Sequence, residues 1–394
     1  MIFWIVGALA VISSCWYCGA VIFLYRGFVG SGGGGEPAGE TFSVVVAARN
    51  EEKLIGRCLE SILSQSISSD RYEVIVVDDR SDDATAAVVN EFMRCHANLR
   101  LLRVTETAPG VSPKKWAVSR GVECSRNSIV VFTDADCVVP PSWLNAIDCS
   151  FTPDIGLVQG ITSYMWPKEG MNRLFFRLQS LDFLSHGIVA AAAIGSNLPI
   201  NSNANNFAFR RESFMEAGGY AKGTEKVVSG DDDLLLQSIW RQGRRKIVFM
   251  MDRGGAVLTM PTLTVAALFG QRARWGSKTI HYRPRQVMLL SGVFLFYCTI
   301  IVSFFAAAFD GRLGTLAVVM LFVKYGAECL LMVPGLRRFG HYDLAALLPL
   351  ASLLQLPLVI CAVICGVFGR FTWKGQKFSR TIKRAGIHSS GKGR

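Results

Sequence analysis

At 394 residues, of which 51% are hydrophobic and 18% charged, the chain is more apolar than an ordinary soluble protein and long enough for one sizeable domain plus added elements. Its formal net charge of +12 gathers in the later part, where Arg370, Lys374, Lys377, Arg380, Lys383 and Arg384 follow an apolar segment with no acid among them. Bases beside a membrane segment favour an anionic cytoplasmic leaflet by about 1 kcal/mol each, so membrane lipids, and no nucleic acid, are the expected partner of this tail.

Eleven cysteines are scattered, several of them within apolar segments, and five isolated histidines form no zinc signature. From the N-terminus, Ile2–Tyr25 carries no charge over a length sufficient to cross a bilayer. Without a basic n-region it reads as an uncleaved anchor, residues 1–26, rather than a removed signal. A glycine-rich linker, 27–41, comes next; no Gly-Lys-Ser/Thr follows it, so it is not a phosphate loop.

Residues 42–260 read as one domain. Phe42–Ala48 is an apolar strand ending in the polar turn Arg49-Asn50-Glu51-Glu52, which opens a helix through Leu54, Cys58, Leu59 and Ile62. Glu73–Val77 is a second strand, closed by Asp78-Asp79-Arg80-Ser81-Asp82-Asp83. Ala84–Phe92 is predicted helical, Leu99–Val104 extended, Lys114–Cys124 helical and Ile129–Phe132 extended, with Asp134-Ala135-Asp136 directly after. This alternation predicts an α/β domain with a parallel, doubly wound sheet, whose ligands bind beyond the carboxyl ends of the strands. The clusters at Arg49, Asp78 and Asp134 all fall at such ends and converge on one edge. Two carboxylates two residues apart suit Mg²⁺ or Mn²⁺ with phosphate oxygens completing the octahedron; capping of the next turn is the plainer role.

Past Cys137 the alternation fades. Met171–Ile194 is expected as a helix, either in the core or at the membrane interface. Asn201–Arg211 suits a binding loop or a turn-rich connector. Asp231-Asp232-Asp233 opens a helical run to Trp240; one acid suffices as a cap, which leaves the others for further work. Residues 261–286 form an interfacial segment containing Gln271-Arg272-Ala273-Arg274-Trp275, whose bases and tryptophan also suit plain anchoring.

Within 287–369, Val287–Phe309, Leu313–Val333 and Leu344–Phe368 are membrane segments, followed by a basic cytoplasmic tail, 370–394. Lys324 and Glu328, at i and i+4, interrupt the middle one; a central charge costs about 2.5–3.5 kcal/mol, so they are expected to pair or face other helices. Three crossings would strand the tail on the wrong side, and Pro349, Gln355 and Pro357 point to a re-entrant or broken last segment.

Together these residues resemble the family-2 glycosyltransferases, a large group of inverting enzymes with the GT-A fold, a doubly wound, Rossmann-like mixed sheet. The resemblance rests on Ala47-Ala48-Arg49-Asn50-Glu51-Glu52, Asp78-Asp79, Lys114-Lys115-Trp116-Ala117, Thr133-Asp134-Ala135-Asp136, Gly230-Asp231-Asp232 and Gln271-x-x-Arg274-Trp275, in that order. The last element is similar to that of cellulose, chitin, hyaluronan and poly-N-acetylglucosamine synthases and of ceramide glucosyltransferases. The resemblance implies that Ala47, Arg49, Glu51, Asp78, Asp79, Lys114 and Asp134 bind the nucleotide sugar. It implies a divalent cation, Mg²⁺ or Mn²⁺, on Asp136 with Asp134. Asp232 would be the catalytic base, with Asp231 standing where many relatives have Glu, and Gln271, Arg274 and Trp275 would contact the diphosphate and acceptor. The implied reaction moves a sugar, from a UDP-sugar donor, to a lipid or lipid-linked acceptor at the cytoplasmic face of the cell membrane. Processive synthesis of a glycan is the alternative, and a catalytically silent scaffold or transporter is the alternative of another class.

Overall fold

A computed structural model of the chain describes residues 2–32, 34–108, 111–166, 172–220, 232–278, 282–368, 370–373 and 376–379. Helix α1 (Ile2–Gly30) runs past Arg26 and leads to β1 (Phe42–Ala48), α2 (Ile55–Leu63), β2 (Tyr72–Asp79), α3 (Thr85–Met93), β3 (Leu99–Val104), α4 (Pro113–Cys124) and β4 (Ile129–Asp134). The following elements are α5 (Trp143–Asp148), β5 (Ile155–Gly160), β6 (Thr162–Tyr164), α6 (Arg173–Gly195), β7 (Phe207–Arg210), α7 (Arg211–Glu216), α8 (Asp233–Gln242), β8 (Lys246–Met250) and β9 (Val257–Thr259). Last come α9 (Val265–Gly276), α10 (Pro284–Ala306), α11 (Gly311–Phe339), α12 (Leu348–Phe368) and the hairpin β10 (Arg370–Trp373) and β11 (Gln376–Ser379).

The main sheet has the order β3-β2-β1-β4-β7-β5-β8. Pairing is parallel from β3 to β4 and between β5 and β8, but β7 runs antiparallel to both β4 and β5. The sheet is therefore mixed, not wholly parallel. The difference lies in Phe207–Arg210, which falls within the Asn201–Arg211 segment expected as a loop and instead forms a central strand. Four residues are too few for a period to show, and the flanking asparagines read as turn.

Strands β1, β2 and β4 are buried along nearly their whole length because helices cover both faces, which is why they read as unbroken apolar runs. Val44, Val46, Val74 and Val76 point to a core shared with α2, α3 and α5. Val45, Ile75 and Val77 point to the other face, where α4 and α6 continue without a break into the membrane helices. Helix α4 approaches the sheet at Gly121, where a Cβ would lie 2.5 Å from a Val45 methyl and 3.1 Å from a Val77 methyl. Only glycine permits that approach.

Among the described residues, α1, α6, α10, α11 and the stretch 342–366 leading through α12 are long and apolar enough to cross a membrane. Helix α6 differs from the others in being mostly buried, packed between the sheet and α1. At the distal end of the bundle, the Arg312 guanidinium lies 4.3 Å from the centre of the Phe3 ring. At the proximal end, Phe28 of α1 meets Phe339 of α11, which also touches Phe249 of β8. Helix α10 starts beside α8, with Arg283 over the Trp240 ring, and leads away; α11 leads back. Helix α12 is entered from a turn in which Asp343 holds Arg177 of α6, and it ends against α9, where the Ala362 carbonyl approaches Gly276. Residues 342–366 thus begin and end beside elements of the α/β domain. Inside the bundle Lys324 is fully buried, paired with Glu328, and donates to the Ser352 carbonyl (2.9 Å) and to Gln355 Oε1 (3.0 Å). The two charges are paired and face other helices, which removes most of the insertion penalty.

Candidate active site

The parallel strands end level with one another: Ala47 lies opposite Asp134, and Ala48 opposite Asp78. Sharp turns follow, with Asn50 (φ 55°) and Arg80 (φ 57°) in the left-handed region. These turns are laced together. The Asn50 N–H donates to Ser81 Oγ (3.0 Å), the Asp82 N–H to Asn50 Oδ1 (2.8 Å) and the Glu51 N–H to Thr85 Oγ1 (2.9 Å). The polar turn after β1 is thereby a rigid wall rather than a loose loop.

That wall bounds a cavity of about 640 Å³ lined by Ala47, Arg49, Glu51, Asp79, Lys114, Asp134, Asp136, Asp232, Gln271, Arg274 and Trp275, among others. Residues far apart in the chain thus face one space. Asp78 does not line it: its carboxylate is buried and accepts the Ser81 N–H (3.1 Å), so it holds the turn while Asp79 faces the cleft beside Arg80. Asp231 lies outside the described residues.

Lys114, at the start of α4, bridges to Asp134 Oδ1 at 2.9 Å. Asp136 accepts a long hydrogen bond from Thr259 Oγ1 (3.4 Å). Burial, reinforced by the neighbouring Asp134 and Glu51 charges, raises the Asp136 carboxyl to about 6. Among the described residues no group of three or more His, Cys, Asp or Glu forms a closed metal cage. A divalent cation that keeps several waters and takes phosphate oxygens needs only one or two carboxylates, however. Asp134 and Asp136, close enough to repel and open to the same cleft, fit that requirement.

Also lining the cavity, Asp232 caps α8, its Oδ1 accepting the Asp233 N–H at 2.7 Å. The capping role is real and leaves the second oxygen over. Asp233 is buried; its Oδ2 accepts from Tyr282 Oη (2.6 Å), and its Oδ1 has no partner among the described residues. The Lys278 ammonium lies 3.7 Å from Asp232 and 3.6 Å from Asp233. Burial raises the pKa of Asp233, against the pull of Lys278 and with a further push from Asp232.

Helix α9 supplies the remaining wall. Gln271, Arg274 and Trp275 share one of its faces, being spaced i, i+3 and i+4. Trp275 stands edge-on to His186 of α6, with ring centres 5.3 Å apart. Arg272 turns the other way into an ion pair with Asp182 of α6; its guanidinium lies 4.1 Å from the Trp275 ring centre and bonds Gln271 Oε1 at 2.6 Å. Arg272 thus positions two residues that face the cleft. Lys278, Tyr282, Thr259, Asn201 and Asn205 line the cavity too and are absent from the sequence-derived site. Lys278 was detectable, since it extends the 271, 274, 275 spacing by one further turn. Asn201 and Asn205 fall in the Asn-rich segment that suited a binding loop or a connector, whereas Thr259 carries no local signal.

Comparisons with known proteins bear on the family and the fold. The chain is 30% identical over 129 residues to the glycosyltransferase AglE of Haloferax volcanii, covering 32% of this chain and 41% of that protein. It is 26% identical over 233 residues to the beta-monoglucosyldiacylglycerol synthase of Synechocystis sp., covering 59% of this chain and 46% of that one. The chain therefore matches about half the length of these relatives. In fold it is similar to the mannosyltransferase PcManGT of Pyrobaculum calidifontis, solved with GDP-Man and Mn²⁺, at a TM-score of 0.59 and 20% identity over 92% of this chain and 98% of that chain. The model of the glycosyltransferase like family 2 matches residues 37–277, from just ahead of β1 to the end of α9, and the chain belongs to that family.

Proposed function

We propose that the chain transfers a sugar from a nucleotide sugar, a UDP-sugar in the reading favoured here, to the hydroxyl of a lipid acceptor by single displacement with inversion. The observation that carries this reading is the gathering of carboxylates from distant parts of the chain around one cavity, Asp134 and Asp136 at the end of β4 and Asp232 at the start of α8. Ala47, Arg49, Glu51 and Asp79 bind the nucleoside, with Asp78 keeping their turn in shape. Lys114 and Arg274 bring positive charge to the leaving diphosphate, the latter able to clamp two oxygens at once. Bound between Asp134 and Asp136, a divalent cation would supply Lewis-acid neutralisation of that diphosphate. Asp232 takes the proton of the acceptor hydroxyl as its oxygen bonds to the anomeric carbon and the bond from that carbon to the diphosphate oxygen breaks. Gln271 and Trp275 orient the acceptor, and Arg272 holds both in place.

The lipid acceptor is supported by the similarity to a glucosyldiacylglycerol synthase and by the continuity of the domain's core with the membrane helices. Strand β10, with which the basic tail opens, lies beside α9, and the charge of the tail supports a cytoplasmic catalytic domain. The test is purified full-length protein in nanodiscs, offered UDP-, GDP- and dTDP-sugars with membrane lipid extracts. One sugar on an extractable lipid is the expected product; a long glycan would replace the lipid reading with a processive one. Absence of both transfer and donor hydrolysis across the panel would leave a silent scaffold.

A further inference from the structure

A second cavity, of about 520 Å³, lies among α1, α6, α9, α10, α11 and α12. Its wall is hydrocarbon, with Leu24, Leu178, Leu268, Val293, Met332 and Leu358 drawn from every one of these helices. The polar side chains that reach it each have a partner among the described residues. Tyr17 and Tyr297 donate to Glu328, Gln355 and Ser352 are held by Lys324, and Gln179 is bonded to Thr262. Asp182 is paired with Arg272, and Ser185 donates to the Asp182 carbonyl. The surface that remains is predominantly apolar, which suits a hydrocarbon chain. Val265, Phe269 and Leu354 of its lining are exposed, so the space opens at the surface of the bundle, and its volume is that of sites for small ligands.

The partition between this cavity and the candidate active site is a shared one. On α6, Phe183 and His186 face the active-site cleft, whereas Asp182 and Ser185 face the second cavity. On α9, Gln271, Arg274 and Trp275 face the cleft, whereas Val265, Leu268 and Phe269 face the cavity. An amphiphile with its hydroxyl beside Asp232 and its chain directed past α6 and α9 would reach this space from the bilayer that surrounds the helices. We infer that the cavity seats an acyl chain of the lipid acceptor, and that its walls set which chain lengths are accepted. This rests on the lipid-acceptor reading above.

The test uses full-length protein in nanodiscs containing a diacylglycerol with a diazirine at mid-chain. Illumination should label cavity residues such as Leu178, Val293 and Leu358, and excess unlabelled diacylglycerol should suppress the label. Val293→Trp and Ala351→Phe, both filling the cavity and neither in the cleft, should reduce labelling and raise KM for long-chain acceptors about tenfold. Donor hydrolysis and transfer to a short-chain, water-soluble analogue should be unchanged in both variants. Lipid glycosylation that persists while label falls only on outward residues such as Phe304 and Phe322 would overturn the inference and spare the acceptor reading. A chain-to-chain crosslink through the same residues would give the seat to a second copy. Cavity labelling without any lipid product would instead overturn the acceptor reading, and the substrate assignment with it.

Discussion

Replacing Asp232 by Asn separates chemistry from structure at the start of α8. The side chain caps the helix by accepting the Asp233 N–H, and an asparagine oxygen performs that role about as well as a carboxylate. Lys278 is not orphaned by the change, because Asp233 stays 3.6 Å away. The cost to folding is therefore small, below about 1 kcal/mol. The proton acceptor is lost outright. Removing a general base lowers the rate by about 100- to 10,000-fold, which is about 2.7–5.4 kcal/mol of transition-state stabilisation. The assay is initial-rate transfer to lipid under saturating donor, beside nucleotide-sugar binding measured by calorimetry. Asp232→Asn should lose kcat and keep donor Kd within about twofold. Asp233→Asn, which keeps an oxygen that accepts from Tyr282, should stay within about tenfold of the parent rate. The opposite ranking, with Asp232→Asn active and Asp233→Asn dead, would refute the assignment of the base.

Asp136→Ala should weaken donor binding in the presence of Mn²⁺ or Mg²⁺ and flatten the metal titration, while donor binding without metal stays as in the parent; an unchanged titration would remove Asp136 from the cation site. Gly121→Ala forces a Cβ against Val45 and should cost about 1–3 kcal/mol, read as a lower melting temperature and, because Lys114 rides on α4, as weaker donor binding. Glu73, at the opposite end of the sheet from the cleft, is held below the usual carboxylate range: burial works against ionisation, but Ser43, the Arg126 N–H and Arg100 outweigh it. Its folded pKa is depressed, so its contribution to stability is present above the unfolded value of about 4.3 and is lost as pH falls through the folded one. Glu73→Gln should accordingly lower stability at neutral pH and flatten its decline below about pH 4, followed as melting temperature against pH.

The elements that sequence alone determined are those whose cause is local. Strands β1, β2 and β4 read as apolar runs because both their faces are covered, α2 to α4 by their spacing, and α1, α10 and α11 by apolar length. Most candidate residues lie at strand ends and helix starts, positions that turn chemistry marks, while Gln271, Arg274 and Trp275 lie in the last turns of α9. Tertiary structure alone decided which neighbour meets which. Asp79 rather than Asp78 faces the cleft because the turn after β2 folds back onto Ser81. Arg272, between two cleft-facing residues in sequence, points away to Asp182, a residue 90 positions distant. Four-residue β7 is extended because β4 and β5 supply its hydrogen bonds, and residues 342–366 return to α9 because Lys324 and α9 hold them there. Periodicity records the burial of a side chain but not the identity of what buries it, so contacts made across long separations stay hidden until the chain has folded.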